Sequence, residues 1–140
     1  MTTPPTPDSR LEALRLALDA FAHARDWRQF HSPRNLAACL SVEAGELLEL
    51  YLWTRDGEGP HPPGAGPPDP QRVREEVGDV LLSLLNFATV AGVDVLAAAE
   101  AKFAALERKY PVDLARGSAV KSPGLAAPTA GSSTPSESTP

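Results

Sequence analysis

Cysteine is nearly missing from this chain: Cys39 is the single one in 140 residues. No disulfide framework can be built from it, and a reducing, cytoplasmic setting is expected. Its position within an apolar, helix-compatible stretch predicts a small buried hydrophobe rather than a reactive thiol. Basic residues are also in short supply, with 13 Lys and Arg against 18 Asp and Glu, a net charge of -5. No dense basic patch is present, which weighs against nucleic acid as a partner. Long apolar runs are absent too. The longest, Val80 to Leu85, is broken by Ser83 and is far too short to span a bilayer, so no membrane partner is expected. Residues Met1 to Arg10 are rich in Thr and Pro and hold no apolar core of a signal peptide. Finally, no stretch alternates β-branched and polar residues, which argues against a sheet.

What is plentiful is proline and glycine, 15 and 10 residues, and much of it gathers in three places. Residues 1–8 read as a disordered arm, 56–70 as a mobile loop, and 122–140 as a disordered Pro/Ser/Thr/Ala tail. Between them, residues 9–121 carry helical periodicity. Ser9 with Glu12 forms a capping-box pattern ahead of Leu11, Leu14, Leu18 and Phe21, a first helix to about Arg25. Trp27 and Phe30 fall in a connection. Ser32 and Pro33 open a second helix that is predicted to run to about Thr54. Asp69 and Pro70 open a third, to about Ala91, stopped by Gly92, and Asp94 precedes a fourth over Val95 to Lys109. The fold class is therefore all-α, a four-helix bundle protomer.

Two of these helices carry charge where apolar side chains are expected. In LAACLSVEAGELLELYLW, Glu43 and Glu46 share a face with Leu36, Cys39, Leu47 and Leu50, at about 3.6 residues per turn. In VREEVGDVLLSLLNFA, Glu76 and Asp79 lie one turn apart beside Val73, Val80 and Phe87, and Ser83 and Asn86 continue the same stripe. Inward carboxylates are unfavourable unless a cation meets them. Four of them without His or Cys suit a hard divalent ion, Mg²⁺ or its substitute Mn²⁺. The plainer arrangement turns these acids outward to solvent, paired with Arg72 or Arg74. The third helix also carries Leu81, Leu82 and Leu85 away from its acids. Apolar on both sides, it predicts self-association.

The pair Glu43-x-x-Glu46 and Glu76-x-x-Asp79, with the flanking segments DWRQFHSPRNL (26–36) and KYPVDLARGSAVK (109–121) and with Trp53, resembles the MazG-like all-α nucleotide pyrophosphatases. Within them the similarity is to the dCTP pyrophosphatase branch and extends from about Leu11 to Lys121. The resemblance implies Mg²⁺-dependent hydrolysis of a nucleoside triphosphate to the monophosphate and pyrophosphate by a dimer or a dimer of dimers. It implies Glu43, Glu46, Glu76 and Asp79 as metal ligands, with Glu46 as the group that orients or deprotonates the attacking water. Trp27 and Trp53 would stack on the base, Lys102 would reach phosphate, and Tyr110 would touch substrate. Ser83 and Asn86 would support the carboxylates.

Three positions depart from the branch as it is known in eukaryotes. Leu18, Ser83 and Leu106 stand where a His, a Tyr and an Asn surround the nucleotide, which leaves the identity of the base open. Two other functions fit an acid-bearing helical bundle. A carboxylate-bridged metal oxidase normally needs Glu-x-x-His pairs, which His23, His31 and His61 do not supply. A non-catalytic helical interaction module would use the apolar faces for assembly alone.

Overall fold

Helix boundaries follow from local chemistry at three of the capping sites. The computed structural model describes residues 7–55, 60 and 62–121. Residues 1–6 of the predicted arm, the tail at 122–140 and part of the 56–70 loop fall outside the described residues, whereas residues 7 and 8, expected in the disordered arm, belong to the first helix. The helices are α1, Pro7–Ala24; α2, Pro33–Glu49; α3, Pro70–Ala91; α4, Val95–Lys109; and a short α5, Val112–Ala115. A 3₁₀ turn, Trp27–Phe30, joins α1 to α2. No strand occurs among the described residues.

Ser32 caps α2 as expected, its hydroxyl accepting from the Asn35 amide at 3.2 Å, with Pro33 in the first helical position. Pro has no N–H to leave unsatisfied there, and its fixed φ suits the first turn. Asp69 does the same for α3, accepting from the Gln71 amide at 2.9 Å ahead of Pro70. Gly92 ends α3 in the left-handed conformation, φ 66°, where a side chain would be strained.

Two boundaries differ from the sequence reading. Helix α1 starts at Pro7, so Ser9 lies inside it and cannot form a capping box with Glu12. Glu12 instead receives both arms of the Arg15 guanidinium, at 2.6 and 2.8 Å. Helix α2 stops at Glu49, not near Thr54. The chain tightens beyond it into i→i+3 bonds, Tyr51 N–H to Leu48 O at 3.0 Å and Leu52 N–H to Glu49 O at 3.1 Å. Such bonds take up carbonyls that would otherwise be orphaned at a helix end. Trp53 follows with φ 64°, a left-handed value that is an outlier for a bulky side chain.

The residues fall into two units, Met1–Val95 and Leu96–Pro140. In the first, α2 and α3 pack along each other and α1 packs on α3. Ala22, Leu36, Leu85 and Ala88, one or two from each of these helices, are the fully buried apolar side chains of the described residues. The Arg15 guanidinium also reaches Thr89 at 3.5 Å, and the Thr89 hydroxyl donates back to Leu85 O at 2.8 Å. On the far side of α3, Leu85 is buried and Leu82 half-buried, whereas Val77, Leu81 and Leu84 are exposed. The second unit contains α4 and α5. Within it the Lys109 ammonium lies over the Tyr110 ring at 5.5 Å from the centroid.

Candidate active site

Packing α2 along α3 turns the two acidic pairs toward each other. One carboxylate oxygen from each of Glu43, Glu46 and Glu76 lies within 4.8 Å of the other two. Asp79, one turn beyond Glu76, is exposed and outside this trio. It is still near enough that its charge is felt at Glu43. The Glu43 carboxyl is held above the ordinary carboxylate range, first by loss of hydration and then by the negative charges of Glu46, Asp79 and Glu76. Each of these effects disfavours the anion, and a cation would reverse them. Neither Arg72 nor Arg74 provides it: the ion pairs among the described residues are Arg15 with Glu12 and Arg28 with Asp19.

One atom shows what the trio lacks. Oε2 of Glu76 is buried and has no hydrogen-bond partner. A shielded carboxylate oxygen without a donor is strongly unfavourable. Three glutamates converging, one of them with such an atom and with no His or Cys among them, fit a hard divalent cation.

Glu43 also belongs to the wall of a cavity of about 480 Å³, whose other lining includes Trp27, Phe30, His31, Asn35 and Leu36. That volume lies in the usual range for small-ligand sites. Ser83 and Asn86 line it from α3, and Cys39 from α2. Cys39 is thus exposed to the cavity rather than buried, a correction to the sequence reading. The face it shares with Glu43 borders the cavity, although Leu36 one turn earlier is buried.

The aromatic end is set by a turn in the backbone. Asp26 takes a left-handed conformation, φ 56°, a geometry that Asp tolerates better than most residues. The Gln29 amide donates to both its carbonyl and its carboxylate at 2.9 Å. This reversal puts Trp27 edge-on to Phe21, ring centroids 5.7 Å apart at 75°. The Arg25 guanidinium in turn covers the Phe21 ring at 3.4 Å from its centroid. Trp27 therefore stands braced at the cavity, one ring partner behind it.

The remaining sequence-predicted site residues belong to the turn after α2 or to the second unit. Trp53 is 78% exposed in the turn after α2 and does not line the cavity. Lys102, exposed, and Tyr110, half-buried, belong to the second unit. Sequence reasoning did not single out Phe30, Asn35 or Arg28. Their signal was present in the aromatic pair of DWRQFHSPRN, placed in a connection and hence outside any helical pattern. His31 also lines the cavity, and its imidazole is held below the usual histidine range by burial and by the charge of Arg28.

Comparison with known proteins gives the same reading. No family model matches the sequence. The chain is 43% identical over 116 residues to dCTP pyrophosphatase 1 of Homo sapiens, covering 83% of this chain and 68% of that protein. Identity to dCTP pyrophosphatase 1 of Rattus norvegicus is 42% over the same length. Among solved structures, a pyrophosphatase from Archaeoglobus fulgidus superposes with a TM-score of 0.62 at 32% identity, covering 79% of this chain and 98% of that one. With no single helix among the described residues long and apolar enough to cross a membrane, and with an all-helical frame that places carboxylates beside an aromatic cavity, the chain belongs to the dCTP pyrophosphatase family of MazG-like nucleotide pyrophosphatases.

Proposed function

We propose that this chain hydrolyses a pyrimidine deoxynucleoside triphosphate, dCTP or a modified relative, to the monophosphate and pyrophosphate with Mg²⁺, for which Mn²⁺ substitutes. The observation that carries this reading is the convergence of Glu43, Glu46 and Glu76, with a buried Glu76 oxygen unpartnered and with Glu43 in the wall of a cavity that Trp27 and Phe30 also line. Triphosphate at the acids and base at the aromatics is the orientation that matches both ends chemically.

Glu43, Glu46 and Glu76 would hold the cation, with Asp79 as the fourth carboxylate one helical turn further along α3. When bound, the cation neutralises phosphate charge and lowers the pKa of a coordinated water. Glu46 is the exposed member of the trio. That exposure suits it to orient and deprotonate the water that attacks phosphorus. Trp27, fixed by Phe21, offers a ring face for the base, and Phe30 faces the same space. Lys102 and Tyr110 join the substrate contacts by resemblance, an ammonium suiting phosphate and a phenol suiting sugar or base.

Among its described residues, the unit Met1–Val95 leaves Leu14, Leu16, Phe21, Leu48, Leu52, Trp53, Val77, Leu81 and Leu84 exposed while burying four apolar side chains fully. So much apolar surface beside so small a core supports self-association, as a dimer or dimer of dimers, with Trp53 covered in the assembly. The test of function is pyrophosphate release from a panel of canonical and modified triphosphates with Mg²⁺. Release from pyrimidine deoxynucleotides, abolished by chelator, is expected. No release from any member of the panel would sink the reading.

A further inference from the structure

Arg28 is bonded to two polar side chains of the cavity wall, Asn86 and His31. Its Nη2 is bonded to the Asp19 carboxylate of α1, which fixes the guanidinium plane. Its Nη1 donates to Oδ1 of Asn86 on α3 at 3.1 Å and lies 3.4 Å from Nδ1 of His31. A guanidinium has only donors. Whatever faces it must therefore be an acceptor, which settles two otherwise ambiguous side chains. The Asn86 amide must turn its oxygen to Arg28, leaving the Nδ2 amino group as what it has to offer elsewhere. His31 must present an unprotonated Nδ1, which puts its proton on Nε2.

Asn86 and His31 both line the cavity, beside Trp27 and Ser83. From these contacts we infer that Arg28, clamped by Asp19, converts Asn86 and His31 into fixed hydrogen-bond donors that select a base bearing a carbonyl oxygen, with Asn86 as the principal contact. An amide free to rotate by half a turn would accept a base amino group as readily as it donates to a carbonyl. Held at its oxygen, it meets an amino group with a second donor, and that pairing leaves both unsatisfied. Asn86 thus contacts substrate and does not support the carboxylates, whereas Arg28 and Asp19 are positioning residues that act through it. The inference rests on the proposed function for the identity of its ligand as a nucleotide, but not on hydrolysis itself.

Two arms test it. In the first, kcat and KM are measured for dCTP, dTTP and dATP with wild type, Asn86→Ala, Asn86→Asp, Arg28→Ala and Arg28→Lys. Adenine carries no carbonyl and serves as the discriminating base. Asn86→Ala should shrink the preference for carbonyl-bearing bases by roughly tenfold, through KM rather than kcat, the size of one lost hydrogen bond. Asn86→Asp, which offers only acceptors, should shrink it at least as far. Arg28→Ala should erode the preference by freeing the amide to turn, and Arg28→Lys, still a donor, should restore part of it. In the second arm, equilibrium binding of dCMP, dTMP and dAMP to wild type and Asn86→Ala needs no turnover. A preference in binding that vanishes in Asn86→Ala supports the inference even if no triphosphate is hydrolysed, in which case only the proposed activity fails. Unchanged base ratios in the variants, with or without a loss of thermal stability, would overturn it and leave the triad a structural brace.

Discussion

The two ends of the proposed site handle charge in opposite ways. At the acidic end, Glu43, Glu46 and Glu76 crowd together with no ion pair to a basic side chain among the described residues, and a Glu76 oxygen is buried without a partner. At the other, Arg28 is matched by Asp19 and its Nη1 is shared between Asn86 and His31. The first end is incomplete by itself and gains from a ligand that brings positive charge. The second has its charge matched within the fold, so it offers shape and hydrogen-bond direction instead of charge. A single site thus combines a region that binds by compensation with one that binds by selection.

The contrast is broken most severely at the acids. Glu76→Ala or Glu46→Ala should lower pyrophosphate release by at least a hundredfold, on the order of what losing one transition-state contact costs. Circular dichroism should show the helices retained, since these acids destabilise the metal-free fold. Activity near that of wild type would remove the residue from the site. Next in size is the effect of the cation on stability. At about a hundred times its dissociation constant, Mg²⁺ should add roughly 2.7 kcal/mol to unfolding, read as a rise in Tm that EDTA reverses. Glu76→Gln should lose most of that rise. An unchanged rise would place the ion elsewhere.

A smaller effect is expected from pH. The Glu43 carboxyl is raised above its unfolded value by burial and by its acidic neighbours. Between the ordinary carboxylate value and the raised one, the folded state therefore holds more protons than the unfolded state. The metal-free protein should lose stability as pH rises through that window, and saturating Mg²⁺ should flatten the dependence. Denaturant titrations with wild type and Glu43→Gln would show it, and identical pH profiles for the two would contradict it. The smallest effect sharpens the geometry alone. Cys39 lines the cavity, so a thiol reagent should modify it in the free protein, more slowly once a nucleotide fills the space. Protection by nucleotide of less than about twofold would argue that ligand does not reach the α2 wall.

Much of the frame is legible in the sequence because it depends on neighbours. Ser32 with Pro33, Asp69 with Pro70, and Gly92 each determine a boundary within one or two residues. The carboxylate pairs are legible for the same reason, a helix placing i and i+3 side by side. What is not legible depends on distance or on an unmarked backbone. The end of α2 at Glu49 has no Gly or Pro to announce it, and LELYLW is as helix-compatible as the stretch before it. Cys39 shares a face with Glu43, but only the packing of α2 on α3 decides that this face borders a void. The Arg28 contacts join residues 9 and 58 positions apart on separate elements, which no local pattern connects.

Both tryptophans are positioned by left-handed backbone, Trp27 directly after Asp26 and Trp53 by its own φ. Their rings are aimed by a kink at one residue and not by the faces of the long helices. A single exchange at such a hinge, such as Asp26→Pro, would swing an aromatic plate away while every helix kept its place. Ligand range in this scaffold is therefore adjustable at the corners, independently of the beams that carry the acids.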